Sequence, residues 1–255
     1  MRSSPLFGTD MQTPNIIHID EVDSTNAELR RRNTIEALPE WTVITTEFQQ
    51  AGRGQKGASW ESESGANITM SYLLRPHFLP ISQQFLLSEV GALGIVKALS
   101  EYTDGIRIKW PNDIYWEDYK LCGTLIETEW IDGKIDICIS GNGINVNQTY
   151  FRSDAPNPIS LRQIIGEEIN REHLLQRILS HTKDYYERLR RGNQEEIMKE
   201  YFSLLYRADD FYIYADAQGA FEAKIIEVTP EGQLILCDKD GYIRKYWFKE
   251  VRYLW

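Results

Sequence analysis

Cysteine is scarce in this chain. There are three in 255 residues, Cys122, Cys138 and Cys237, with no Cys-x-x-Cys pair. That count argues against a disulfide framework or a structural zinc site and fits a reducing compartment, so a cytoplasmic location is expected. Long apolar runs are missing as well. None approaches the ~20 residues that a membrane-spanning helix needs, so no membrane partner is expected. Met1-Arg2-Ser3-Ser4-Pro5-Leu6-Phe7 also lacks the continuous apolar centre of a signal peptide. Positive charge is the third shortage. Lys and Arg total 28 against 38 Asp and Glu, a net charge of −10, whereas a nucleic-acid surface carries a basic footprint. The basic run Arg30-Arg31-Arg32 reads as a solvated helix face. The histidines His18, His77, His173 and His181 have neither metal-ligand spacing nor Ser/Asp company, and no catalysis is assigned to them.

What is present fits one large domain and one small one. Ile16–Ile19 reads as a strand, and Thr25-x-x-Glu28 resembles a capping box opening a helix from Ala27 to about Leu38. Trp41–Thr46 is β-rich, and Asn67–Leu74 alternates as a strand. Ser82 is placed to cap an apolar helix carrying Phe85, Leu86, Val90, Leu93, Val96, Ala98 and Leu99, a candidate for the core. Ile106–Lys109 is a strand stopped by Pro111. Gly123–Trp130 and Ile135–Ser140 form a hairpin about Asp132-Gly133. Asn170 opens a helix to about Arg191, and Asn193 opens another ending near Tyr206. After Ala208 the pattern becomes short β-rich runs: Phe211–Ala215, Phe221–Val228, Leu234–Cys237, Tyr242–Trp247 and Val251–Leu254. Turns separate them, as in a small five-stranded barrel.

The segment with most chemistry is Gln49-Gln50-Ala51-Gly52-Arg53-Gly54-Gln55-Lys56-Gly57-Ala58-Ser59-Trp60. Glycines at 52, 54 and 57 let the backbone approach a ligand, and consecutive exposed N–H groups form an anion-binding concavity. Arg53 and Lys56 add cationic donors. It is neither a Walker A loop nor a dinucleotide fingerprint, because the Gly-Lys-Ser/Thr and the strand–loop–helix spacing are both missing. On this segment alone, an anion clasp and an ordinary surface turn stand level.

Two further segments decide between them. One is Lys109-Trp110-Pro111-Asn112-Asp113-Ile114-Tyr115, followed by Lys120-Leu121-Cys122-Gly123-Thr124-Leu125-Ile126-Glu127. The other is Gly141-Asn142-Gly143-Ile144-Asn145-Val146-Asn147. With Asp23-Ser24-Thr25-Asn26 and the glycine loop, they stand in the order and spacing of the biotin protein ligases. The resemblance runs from about residue 20 to about 150, and more loosely to the C-terminus.

The resemblance implies an α+β chain. A mixed β-sheet catalytic domain flanked by helices, of the class II synthetase-like biotin–lipoate ligase fold, would occupy residues 1–208. A small SH3-like β-barrel would occupy 209–255. It implies that biotin is activated with ATP and Mg²⁺ as biotinyl-5′-AMP, then transferred to a lysine of a biotin carboxyl carrier protein such as that of acetyl-CoA carboxylase. No tightly bound prosthetic group is implied.

Carried over residue by residue, Lys120 is the essential cation between the biotin carboxylate and the α-phosphate. Arg53 shares the catalytic role from the glycine loop, and Asp113 handles Mg²⁺. Ser24, Thr25, Asn26, Gln49, Arg53, Gly54, Gln55, Lys120, Gly123 and Gly141 would hold biotin. Gly52, Gly54, Gln55, Lys56, Trp60, Asn112, Lys120 and Asn145 would hold the nucleotide. Each has a plainer role to weigh against this: a solvated lysine for Lys120, a turn aspartate for Asp113, a helix cap for Thr25, turn chemistry for Asn145, a core indole for Trp60, and a β-bulge for Gly141 and Gly143. Cys122 is either a small core residue or a thiol beside the site.

Many relatives carry arginines where this chain has Gln55 and Ala58, which weakens the expected grip on the adenylate. Some members also carry an N-terminal winged-helix repressor domain. The resemblance here starts near Asp20, leaving no room for one, so DNA binding is not expected. Homodimerisation is left open. The alternatives are a lipoate or octanoyl ligase, and a noncatalytic biotin-responsive regulator.

Overall fold

The structure is a computed structural model that describes residues 14–54, 59–152 and 157–254. Its main sheet contains β1 (Asn15–Val22), β2 (Thr42–Gln49), β3 (Ile68–Leu74), β4 (Ile106–Lys109), β5 (Asp113–Trp116), β6 (Tyr119–Ile131) and β7 (Lys134–Ile144). The strand order is β1-β2-β3-β7-β6-β5-β4, with β1 parallel to β2 and each other neighbouring pair antiparallel. Asp132 and Gly133, at φ 50° and 76°, make the tight β6–β7 turn that their sequence predicts.

Helix α1 (Thr25–Glu36) covers one face, where Leu29 and Leu38 pack with Ile44, Leu73, Ile137 and Ile139. The other face carries α2 (Phe85–Leu99) and α4 (Arg171–Arg190), against Val43, Met70, Tyr72 and Leu74. Two expectations change here. Strand β3 does not alternate in burial: every residue from Ile68 to Leu74 is buried, because helices cover both faces of a central strand. The apolar α2 is buried around nearly its whole circumference, as its composition predicts, but Ser82 lies in a one-turn 3₁₀ segment (Ile81–Gln83) and Gln84 occupies the N-cap. Gly94 allows the close approach of α4, since a Cβ there would stand 2.6 Å from Thr182 Cα.

The capping box at Thr25 is also corrected. Ser24 is the N-cap residue, and Thr25 N–H and Oγ1 both donate to Gln49 Oε1, at 2.8 and 3.2 Å. Glu28 pairs instead with Arg31 at 2.7 Å and Arg32 at 2.8 Å. Arg30 meets Glu127 and Glu129, so the basic run is consumed by acidic neighbours. Asn170 caps α4 as expected, accepting from His173 N–H at 2.9 Å.

A short α3 (Leu161–Ile165) precedes α4, and α5 (Gln194–Ser203) ends earlier than the sequence suggested. The chain then pairs with β4: Ile108 N–H donates to Leu204 O at 2.9 Å and Tyr206 N–H to Ile108 O at 2.8 Å. The C-terminal part is a five-stranded antiparallel sheet of β8 (Tyr212–Asp216), β9 (Gly219–Val228), β10 (Leu234–Asp238), β11 (Ile243–Tyr246) and β12 (Arg252–Tyr253). Its order is β11-β10-β9-β8-β12, which fits the SH3-like unit expected there. Its buried face, with Tyr214, Ile225 and Leu234, is continuous with the main core.

Candidate functional site

A pocket of about 200 Å³ opens between the N-terminus of α1, the glycine loop, β5–β7 and the C-terminal sheet. Its lining brings together Ser24, Thr25 and Asn26 from the start of α1, Gln49 from the end of β2, Arg53, Gly54 and Trp60 from the loop, and Asn112, Asp113, Lys120, Gly123 and Gly141 from the later motifs. Residues separated by more than a hundred positions therefore converge on one cavity.

Among the described residues three cations line the pocket, Arg53, Lys120 and Lys249, and Lys120 is held by an acidic partner. Lys120 Nζ lies 2.6 Å from Asp113 Oδ2. The Lys120 backbone is fixed on the far side: its N–H donates to Asn157 O at 2.7 Å and its carbonyl accepts from Ile159 at 3.0 Å. Asn145 does not line the pocket. Its amide donates to Lys120 O at 3.4 Å and to Ile159 O at 3.1 Å, behind the lysine, and its buried Oδ1 has no partner among the described residues. A register shift between β5 and β6 next to Lys120 is the kind of irregularity that re-aims a side chain.

Lys109 stands opposite Asp113 in the β4–β5 register, and its Nζ donates to the Tyr115 hydroxyl at 3.2 Å. Burial pulls its ammonium down to about 8, with Asp113 opposing that shift.

At the other end Thr25 and Asn26 of the lining are held by a polar network that runs behind them to Ser71 and the Glu127 carboxylate. Ser71 Oγ lies 2.7 Å from Thr25 Oγ1 and 2.6 Å from Asn26 Oδ1. The Asn26 amide donates to Glu127 Oε2 at 2.9 Å. Thr124 donates to Asn142 Oδ1 at 3.1 Å. Such a wall offers both donors and acceptors, which suits a polar head group.

Three glycines permit this arrangement, and none sits in a bulge. Gly123 and Gly143 face each other across β6 and β7, and Gly141 pairs with Leu125. A Cβ on Gly141 would stand 2.1 Å from Asn26 Oδ1. Trp60 lies over the other two: added Cβ atoms would approach its ring to 2.7 Å from Gly123 and 2.2 Å from Gly143. A Cβ at Gly52 would stand 2.6 Å from Trp60 O, and the loop base is held by Trp60 N–H to Gly52 O at 3.0 Å and by the Arg53–Ser59 bridge. Gln55, Lys56 and Ala58 lie outside the described residues.

Cys122 is completely buried, and burial pushes its thiol up to about 12, so it behaves as a core residue. Asp23 is a clamp at the start of α1. The Arg31 guanidinium, with help from Ser24 N–H, holds its carboxyl well below the usual range.

Several lining residues escape the sequence reading. Thr69 comes from β3, Thr124 and Leu125 from β6, and Asn142 from between two glycines of β7. The spacing of the strand register locates these last three once Lys120 and Gly141 are placed. Phe248 and Lys249 come from the turn between β11 and β12, with the Phe248 ring 6.0 Å from that of Trp110. No local signal marks them.

Fold and pocket together bring a lysine–aspartate pair and a wall of polar side chains into one cleft. The chain belongs to the biotin/lipoate A/B protein ligase family, whose model matches residues 19–145. The bifunctional ligase/repressor BirA of Bacillus spizizenii is 31% identical over 250 residues, covering 93% of this chain and 74% of that protein. The biotin–[acetyl-CoA-carboxylase] ligase of Mycobacterium tuberculosis is 28% identical over 165 residues, covering 63% of this chain and 60% of that one. Among solved structures, biotin protein ligase from Aquifex aeolicus in complex with biotin and ATP aligns with a TM-score of 0.78 and 25% identity, over 94% of this chain and 99% of that one. No helix among the described residues is long and apolar enough to cross a membrane.

Proposed function

We propose that this protein is an ATP-dependent biotin ligase that joins biotin to a lysine of a biotin carboxyl carrier domain. The observation that carries this reading is the Lys120–Asp113 pair, 2.6 Å apart, in a pocket shared with the polar start of α1. Family membership and the Aquifex relative solved with biotin and ATP support it.

In the first step a biotin carboxylate oxygen attacks the α-phosphorus of ATP, and the bond to pyrophosphate breaks. In the second, the neutral amine of the carrier lysine attacks the acyl carbon. AMP leaves, and the new amide nitrogen loses a proton. Negative charge gathers on phosphate and acyl oxygens in both steps, so a fixed cation and correct positioning are the main catalytic needs. Lys120 supplies the cation. Asp113 holds it in place before the substrates arrive and offers one carboxylate to the Mg²⁺ that enters with ATP. One suffices, because Mg²⁺ takes its other ligands from phosphates and water.

Thr25, Asn26 and the groups bonded to them face the ureido ring of biotin in this reading, with Ser24 and Gln49 supporting them. Arg53, Gly54, Trp60 and Asn112 flank the nucleotide. The acetyl-CoA carboxylase carrier as acceptor, a cytoplasmic location and the absence of DNA recognition belong to the same proposal, the last supported by the net charge of −10.

The test is ATP–pyrophosphate exchange with purified protein. Exchange is expected only when biotin is present. Exchange with lipoate and none with biotin would move the assignment to a lipoate ligase.

A further inference from the structure

The Trp110-Pro111-Asn112 segment, which delivers Asp113 to the pocket, is tied down residue by residue to three separate elements. Trp110 Nε1–H donates to Gly232 O at 3.1 Å, in the turn between β9 and β10. The Tyr201 hydroxyl donates to Pro111 O at 2.7 Å from α5. The Asn112 amide donates to Ser88 Oγ at 3.3 Å on α2. Two of the three ties come from beyond the span that defines the family.

We propose that Tyr201 is a positioning residue for the activation step, acting through Pro111 on the placement of Asp113 and so of Lys120. The inference rests on the biotin-ligase reading for its kinetic consequence, but not for its structural one.

The geometry around Tyr201 is that of a fixed donor rather than of a residue filling space. The side chain is 1% exposed, and its ring meets Phe85 of α2 edge-on at 5.7 Å and 89°. Burial, with Glu89 and Tyr253 adding to it, holds the phenol far above its usual value, so it keeps the proton that it donates. The end of α5 is in turn zipped to β4 by the two backbone bonds at Ile108, a few residues before Pro111. Tyr201 and the loop that it touches are therefore referenced to the same strand. A backbone carbonyl held from one side by a rigid helix fixes the direction in which the next two residues leave. Asp113 is the second of them, and a displacement of about 1 Å at a catalytic group can cost on the order of a hundredfold in rate.

Tyr201→Phe removes the hydroxyl and leaves the ring. Tyr185→Phe is the control: it removes another buried tyrosine's hydroxyl, one that donates to Glu200 at 2.6 Å and does not line the pocket. Tyr201→Phe should lower kcat of biotin-dependent pyrophosphate exchange by about five- to tenfold, the scale of one lost hydrogen bond, with KM for biotin unchanged. Amide hydrogen exchange at Asn112 and Asp113 should accelerate. Tyr185→Phe should change neither. In an Asp113→Ala background, adding Tyr201→Phe should cause little further loss, because the two act through one group.

Wild-type kcat together with wild-type amide protection in Tyr201→Phe would overturn the inference. So would a full, additive loss in the Asp113→Ala background. If the wild-type protein shows no biotin-dependent exchange, the ligase reading fails, and amide protection alone then decides whether Tyr201 positions the loop.

Discussion

Gly143 and Trp60 are fitted to one another: a Cβ on Gly143 would stand 2.2 Å from Cε2 of the Trp60 indole. The indole therefore sits directly against β6 and β7 at Gly123 and Gly143, and it forms part of the pocket lining. Gly143→Ala must push the ring outward, because the strand on the other side is paired with β3 and β6 and has no freedom to retreat. Overpacking of this kind costs on the order of 1–3 kcal/mol. Affinity for the biotin–ATP pair should fall by about tenfold or more while far-ultraviolet circular dichroism stays native. Titration calorimetry with biotin and a nonhydrolysable ATP analogue measures it. Unchanged affinity would separate Trp60 from the binding wall.

Gly141 makes the equivalent prediction for the polar end. Its missing Cβ leaves room for Asn26 Oδ1, which would otherwise be 2.1 Å away. Asn26 also bonds Glu127 at 2.9 Å, and it cannot swing aside without breaking that contact. Gly141→Ala should therefore weaken biotin binding much more than ATP binding. A loss shared equally between the two ligands would show that Asn26 does not face biotin.

Lys120→Ala should lower adenylation by roughly 10²–10³-fold, the usual cost of removing a preorganised charge stabiliser. Its ion pair is partly solvent-exposed, so little stability should be lost with it. The checks are single-turnover formation of biotinyl-adenylate and a thermal melt. Near-normal turnover would mean that Lys120 is only a partner for Asp113.

The sequence made much of this legible because the site is assembled from backbone-demanding motifs. Gly123, Gly141 and Gly143 could be singled out as glycines, although their reason lies in Asn26 and Trp60 rather than in a bulge. The apolar run of α2 and the Asp132-Gly133 turn likewise follow from composition and local conformational preference. What stayed hidden depends on distant partners. Thr25 is taken from its capping box by Gln49, twenty-four residues on, which no local pattern encodes. Asn145 looked like a ligand residue, but its amide is used behind Lys120. Phe248 and Lys249 reach the pocket only through the docking of the second sheet. The alternation expected in β3 vanished because burial of both faces depends on which helices cover the sheet, and that is set by topology.

The last prediction concerns Glu89, a carboxyl on α2 that is 1% exposed and whose Oε2 has no hydrogen-bond partner among the described residues. Burial pushes it up from 4.5 to about 8, so it is neutral in the folded protein at pH 7. In the unfolded chain the same group ionises above 4.5. Between those two values the unfolded state therefore binds fewer protons than the folded one, and stability falls as pH rises through the window. From pH 4.5 to pH 7 the cost is on the order of 3 kcal/mol, a large fraction of the net stability of a typical domain. Glu89→Gln keeps the shape and removes the titration. The variant should lie close to wild type at pH 5 and become progressively the more stable of the two towards pH 8. Urea unfolding of both proteins at several pH values measures the difference. Curves that stay parallel across the range would mean that Glu89 ionises freely in the folded state, through water or a partner that reaches α2.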